Sequence, residues 1–161
     1  MSTLRHSARW PRGFTLIEIA IVLAIIVLII GAAVPLSSGF MREQRLRDVV
    51  RELLVLAKTG RAEAMASGRA TAIVFDKNGF SLARSANQES AETFALPRGM
   101  SYVLVPFGGE KAVKPDGQRW IFQPTGLCEP VSFRVKEEDA WMRVTFDPLT
   151  ANIADEEYYI P

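Results

Sequence analysis

Gly13 to Ile30 reads GFTLIEIAIVLAIIVLII. From Ile19 to Val34 every residue is apolar or glycine, and with Phe14 at its head the run is 21 residues long. As a helix rising about 1.5 Å per residue it covers roughly 31 Å, close to the ~30 Å of a bilayer's hydrocarbon layer. A membrane-spanning helix is predicted. One turn inside it stands Glu18, and a carboxylate near the middle of a span costs about 2.5–3.5 kcal/mol, less toward the interface. Such a group needs a partner. No Lys or Arg occurs between Phe14 and Met41, so the counter-charge must come from outside the segment.

Cleavage between Gly13 and Phe14 would supply one, because the new α-amino group on Phe14 is a cation at neutral pH. An amine in another copy or another subunit could then reach Glu18. At ~4 Å and an effective dielectric near 20 the attraction is about 4 kcal/mol, enough to offset burial and fix axial register. The chain's own Phe14, one turn away, is the local alternative. Upstream, Arg5, Arg9 and Arg12 lie in a leader with no acidic residue. A secretory signal peptide also begins with a basic region and an apolar stretch, but its apolar part is only about 7–15 residues long. Val34-Pro35-Leu36-Ser37 lacks a clean small-x-small cleavage site, although Gly31, Ala32 and Ala33 keep that alternative open. An ordinary signal anchor is a second alternative, and it leaves Glu18 unexplained.

RGFTLIEIAIVLAIIVLIIGAAVP resembles the N-terminal motif of type IV pilins and of type II secretion pseudopilins: a short basic leader ending in Gly, then Phe-Thr-Leu-Ile-Glu and a long hydrophobic helix. The resemblance implies that a membrane prepilin peptidase cuts after Gly13 and methylates the amine of Phe14. It makes Glu18 the assembly glutamate and Pro35 the point where the helix loosens on packing into a filament. Proline removes a backbone hydrogen bond and crowds the preceding turn, so Pro35 can equally mark a simple boundary between membrane and soluble helix. Arg42, Arg45 and Arg47 follow the span as closely as the leader arginines precede it, which leaves the positive-inside count level. The resemblance then decides orientation: leader in the cytoplasm, the rest in the periplasm, a single pass through a bacterial inner membrane.

Beyond the span, Leu46, Val49, Val50, Leu53, Leu54, Ala57 and Ala64 recur at helical spacing, with Arg47, Arg51, Glu52, Lys58 and Arg61 mostly elsewhere around the wheel. One helix over 14–67 would form a rod of roughly 80 Å. Gly60 weakens it by about 1 kcal/mol relative to Ala, and Gly68 is a plausible stop. The period then changes. TAIVFDKNGFSLAR places two short strands around Asn78-Gly79, a hairpin signal, and SYVLVPF, RWIFQP, VSFRVK and WMRVTFD are further strands, with TANI a last short one. Ser85 to Thr93 reads as a polar loop. The expected fold class is α+β, pilin-like: a long N-terminal helix carrying a C-terminal antiparallel β-sheet head. Its parts are a leader 1–13, a membrane and assembly helix 14–38, an amphipathic half of the same helix 39–68, and a periplasmic head 69–161.

RAEAMASGRATAIVF and WIFQPTGLCEPVSFRV resemble the region shared by H-type minor pseudopilins and FimT-like minor pilins, where an Arg-x-x-Ala helix end precedes a basic turn and a later strand ends in Phe-x-Pro-x-Gly. Here those residues are Arg61, Ala64, Gly68 and Arg69, then Phe122, Pro124 and Gly126. Pro124 and Gly126 also suit a strand that ends in a tight turn.

No motif of an enzyme appears. His6 is the only histidine and lies in the leader, and Cys128, the only cysteine, can form no intrachain disulfide and reads as a buried thiol. No catalytic residue, cofactor or metal is expected. Asp155, Glu156 and Glu157 could offer oxygens to calcium but lack a ligand loop, so they read as a solvated tail. Trp120 and Trp141 read as core, Tyr158 and Tyr159 as core or interface. Without the three leader arginines, 16 basic residues face 18 acidic ones, a net charge of −2 that gives no polyanion-binding surface.

The expected function is assembly. The resemblance implies a minor pseudopilin of type II secretion at or near the tip of a periplasmic filament. Its partners would be other minor and major pseudopilins, the prepilin peptidase, an inner-membrane assembly platform, and membrane lipid before assembly, with no nucleic acid. A FimT-like minor pilin in pilus assembly or DNA uptake is the alternative. A signal-anchored periplasmic enzyme is a third reading, disfavoured by the missing catalytic groups.

Overall fold

The computed structural model describes residues 15–83, 92–106 and 111–161, and at 31–39, 92 and 106 the backbone alone. The chain divides into two units, Met1–Ser38 and Gly39–Pro161. Helix α1, Leu16–Ser67, is 52 residues long and contributes to both.

Among the described residues of the second unit eight strands follow the helix: β1 Thr71–Asp76, β2 Gly79–Ala83, β3 Glu92–Ala95, β4 Met100–Pro106, β5 Arg119–Phe122, β6 Val131–Glu137, β7 Ala140–Phe146 and β8 Ile153–Tyr159. They form two four-stranded antiparallel sheets, in the orders β3-β2-β1-β5 and β4-β6-β7-β8. The helical stripe Leu46, Val49, Val50, Leu53, Leu56, Ala57 and Ala64 is buried with the inward residues of both sheets, among them Ile73, Phe75, Phe80, Leu82, Phe122, Phe133, Met142 and Val144. Each fully buried Phe or Leu removes enough apolar surface from water to stabilise the head by about 1.5–3 kcal/mol. Trp120 belongs to this core, its ring 4.8 Å from both Phe122 and Phe146 and its indole N–H donating to the Glu129 carbonyl at 2.7 Å. Cys128 is buried, and burial raises its pKa.

Helix α1 ends where Gly68 takes a φ of 66°, a left-handed conformation that costs glycine nothing. Gly60 sits where the helix meets the first sheet. A Cβ there would lie 2.8 Å from Leu82 Cδ1 and 3.3 Å from Phe122 Cδ2, and the Gly60 carbonyl accepts a 2.7 Å bond from the buried Thr71 hydroxyl.

The structure departs from the sequence reading in four places. Trp141, read as core, is half-buried on the outer face of β7, because its neighbours Ala140 and Met142 take the inward positions. The β1–β2 register pairs Asp76 with Gly79, so the hairpin loop is Lys77-Asn78 and Gly79 opens β2. Gly79 is needed for close approach rather than for the turn: a Cβ there would lie 2.0 Å from the Phe94 carbonyl oxygen of β3. Glu92 and Thr93, read as loop, belong to β3, because β2 offers a ladder that pairs them with Leu82 and Ser81. The acidic tail is a strand. Ile153–Tyr159 pairs with β7 along its length, where TANI alone had been expected to be extended. Its side chains from Ala154 onward remain exposed.

Candidate assembly site

Leu16, the first residue of α1, is preceded by Thr15, which caps it: the Glu18 amide lies 3.3 Å from Thr15 Oγ1 and 3.1 Å from the Thr15 carbonyl, and the Ile19 amide bonds the same carbonyl at 3.3 Å. These contacts satisfy amides that a helix start leaves without partners. Thr15-x-x-Glu18 is the spacing of a capping box, a signal present in the sequence that the reading above did not use. Capping sets where the helix begins and therefore fixes Glu18 in its first turn, where a carboxylate also meets the positive end of the helix dipole.

Around Glu18 the helix is apolar on every side, and no described residue covers it. Leu16 is 92% exposed, and Ile17, Ile21, Leu23, Val27, Leu28 and Ile30 are each more than half exposed. So large an unpartnered apolar surface marks contact with lipid or with other chains. Glu18 is exposed as well, and among the described residues its carboxylate has no ion pair. Gly13 and Phe14 lie outside the described residues. At Pro35 only the backbone is described, and it is helical. Among the described residues no helix is long and apolar enough to cross a membrane. Of the 21-residue run, Phe14 and the side chains of 31–34 fall outside that set.

The head residues singled out in sequence come together in part. Arg61 Nε donates to the Gly126 carbonyl at 2.8 Å, Ala64 and Phe122 are fully buried, and Gly126 holds a φ of 82° against Met65 and Arg61. Arg69 and Pro124 stay exposed. Missed from the sequence was the use of the arginines after the apolar run. Arg42 pairs with Glu138 at 3.0 Å, Arg45 grips Glu137 through Nε and Nη2, and Arg47 bridges Glu43 and Glu156 at 2.8 and 2.7 Å while its guanidinium sits 5.4 Å from the Tyr158 ring centre. Glu156 is thus an ion-pair partner. Among the described residues no cluster of three or more His, Cys, Asp or Glu is placed to hold a metal ion.

Residues 11–34 match the family model described as the prokaryotic N-terminal methylation motif. The chain carries a prokaryotic N-terminal methylation motif. Its fold is pilin-like: it is similar to the type IV minor pilin FimU of Pseudomonas aeruginosa, with a TM-score of 0.51, 16% identity, and coverage of 73% of this chain and 92% of FimU. The minor pseudopilin EpsH from the type 2 secretion system of Vibrio cholerae aligns over 73% of this chain and 98% of its own, with 14% identity and a TM-score of 0.49. No curated protein sequence matches the chain. A methylation motif at residues 11–34, a capped helix that begins within it at Leu16, and a head of pilin-like fold thus lie on one chain.

Proposed function

We propose that this pilin-like chain is a minor subunit of a periplasmic filament, the pseudopilus of a type II secretion system, and that it acts as a structural part and not as an enzyme. The observation that carries the reading is Glu18, an exposed carboxylate without an ion pair among the described residues, set in the first turn of an apolar helix inside the methylation motif. A prepilin peptidase would cut between Gly13 and Phe14 and methylate the Phe14 amine. Until assembly the helix resides in inner-membrane lipid with the head in the periplasm, and Glu18 stays near the interface, where its burial cost is smallest. In the filament the amine of a neighbouring subunit neutralises Glu18, and the apolar surface from Leu16 to Ile30 packs against other helices. Pro35, which cannot donate a backbone hydrogen bond, eases the adjustment that packing requires. Energy for extraction comes from a cytoplasmic ATPase acting through an inner-membrane platform.

The pilin-like fold shared with FimU favours a second reading, a minor pilin of a type IV pilus. Deleting the gene in its host and restoring it in trans separates the two. The secretion reading expects exported proteins to accumulate in the periplasm while surface pili persist. Loss of pili with secretion intact would assign the chain to a pilus, and loss of neither would refute both.

A further inference from the structure

The solvent face of the second sheet is arranged in rows. Strand register places Lys136 of β6 opposite Trp141 of β7, and Trp141 opposite Tyr159 of β8; in the adjacent row stand Arg134, Arg143 and Glu157. Phe133 and Val135 point into the core, so Arg134 and Lys136, on alternate positions of β6, project to the other side, where both are exposed. Arg134 and Arg143 are therefore direct cross-strand neighbours of like charge, an arrangement that destabilises a sheet. Glu157 answers only one of them, bonding Arg143 at 2.7 Å. Arg134 and Lys136 have no ion pair among the described residues. Beside them Ser101, Val103, Asp139 and Trp141 complete a groove of about 270 Å³. A half-buried indole, the Val103 side chain, two cations without an ion pair among the described residues and one carboxylate, Asp139, share one concave site.

We propose that this groove docks an acidic, extended segment of another protein, with two carboxylates on Arg134 and Lys136 and an apolar side chain on Trp141. Residues i and i+2 of any strand lie about 6.6–6.8 Å apart, so carboxylates at alternate positions of a partner segment match the spacing of the two cations along β6. The Arg143–Glu157 pair shows the same face already engaging a strand-borne carboxylate in this way. A polyanion fits worse. Nucleic acid needs a stripe of cations along its phosphates, and an anionic membrane needs a broad basic patch, whereas among the described residues Asp139, Asp155 and Glu157 share this face with two basic groups that lack an ion pair. The proposal rests on the face itself and is independent of which filament the chain serves.

The test uses the full chain in non-ionic detergent and a fluorescent peptide, Glu-Val-Glu-Val-Glu, with Gln-Val-Gln-Val-Gln as its neutral counterpart. Anisotropy at low salt should show binding of the acidic peptide, and weakening by roughly tenfold or more in the double variant Arg134→Gln/Lys136→Gln, the scale of one lost charge-assisted contact. Trp141→Ala should weaken it as well. The proposal is overturned if the neutral peptide binds equally, if the double variant binds as wild type does, or if duplex DNA or phosphatidylserine vesicles bind tighter and lose binding in the same variant. Thermal unfolding gives an independent check: removing one of two facing arginines should leave the melting temperature unchanged or raise it. A lowered melting temperature in Arg134→Gln would make the residue structural and sink the assignment.

Discussion

Arg61 and Gly126, 65 residues apart in sequence, meet through a 2.8 Å bond from the guanidinium Nε to the glycine carbonyl. The contact ties the last turns of α1 to the turn after β5. Gly126 has a left-handed φ of 82°, and a Cβ there would stand 2.8 Å from Met65 Sδ and 3.2 Å from Arg61 Nη2. Gly126→Ala should therefore cost roughly 1–3 kcal/mol, from the backbone penalty and the displaced arginine together. Arg61→Lys, which cannot place a donor as the guanidinium does, should cost about 1 kcal/mol. Thermal unfolding followed by circular dichroism measures both; an unchanged melting temperature in Gly126→Ala would show that the turn tolerates a side chain.

Gly60 tests packing against propensity. In an exposed helix Gly→Ala stabilises by about 1 kcal/mol. Here the added methyl would press on Leu82 Cδ1 at 2.8 Å and Phe122 Cδ2 at 3.3 Å and disturb the Thr71 bond to the Gly60 carbonyl. Gly60→Ala is expected to destabilise the head by about 1–3 kcal/mol, the scale of an overpacked core. A gain in stability on urea unfolding would mean that the sheet yields to the helix.

Tyr102 joins the two sheets: from β4 its hydroxyl lies 2.5 Å from the Asp76 and Gly79 carbonyls at the β1–β2 hairpin, and its single proton serves one of them at a time. Burial, the largest influence, raises the pKa of this phenol above the ordinary value. Ionisation is thus disfavoured in the folded state. The associated stability is complete below the ordinary tyrosine value of about 10 and declines as pH rises above it. Tyr102→Phe should lose about 1–3 kcal/mol at neutral pH, leaving the buried Gly79 carbonyl short of a donor. It should also flatten the alkaline limb of a stability profile from about pH 10 upward. If wild type and variant decline in parallel across that range, another group governs the alkaline transition.

How legible the fold was depends on how local the deciding interactions are. The apolar run, the helical stripe from Leu46 to Ala64 and the strands β4 to β7 all show in the sequence, because each carries a periodicity of its own. Strand β8 does not: Ala-Asp-Glu-Glu has poor strand propensity and the strand has no buried face from Ala154 onward, and it is extended because β7 offers a ladder and Arg47 and Arg143 neutralise Glu156 and Glu157. The ion pairs of Arg45 and Arg47 with Glu137 and Glu156 cross 92 and 109 residues, a distance at which no spacing rule operates. At the assembly site the opposite holds. Thr15 and Glu18 are three residues apart, and their capping relationship could have been read from the spacing alone.

That local geometry makes the N-terminus the sharpest test of the assembly reading. Thr15 fixes the start of α1 and Glu18 follows in its first turn, so a chain that begins at Phe14 carries its amine four residues from the carboxylate. Intact-mass measurement of protein purified from its host membranes should find residues 1–13 absent and one methyl group present; retention of the leader beside an active peptidase would refute processing. Glu18→Ala should insert in the membrane at least as well as wild type, since it removes an insertion cost of up to about 2.5–3.5 kcal/mol. It should nevertheless fail to co-purify with other filament subunits, because no anion remains to receive their amines. Glu18→Asp keeps the charge on a shorter arm and should restore part of that association. Equal recovery of partner subunits with Glu18→Ala and wild type would show that apolar packing alone drives assembly.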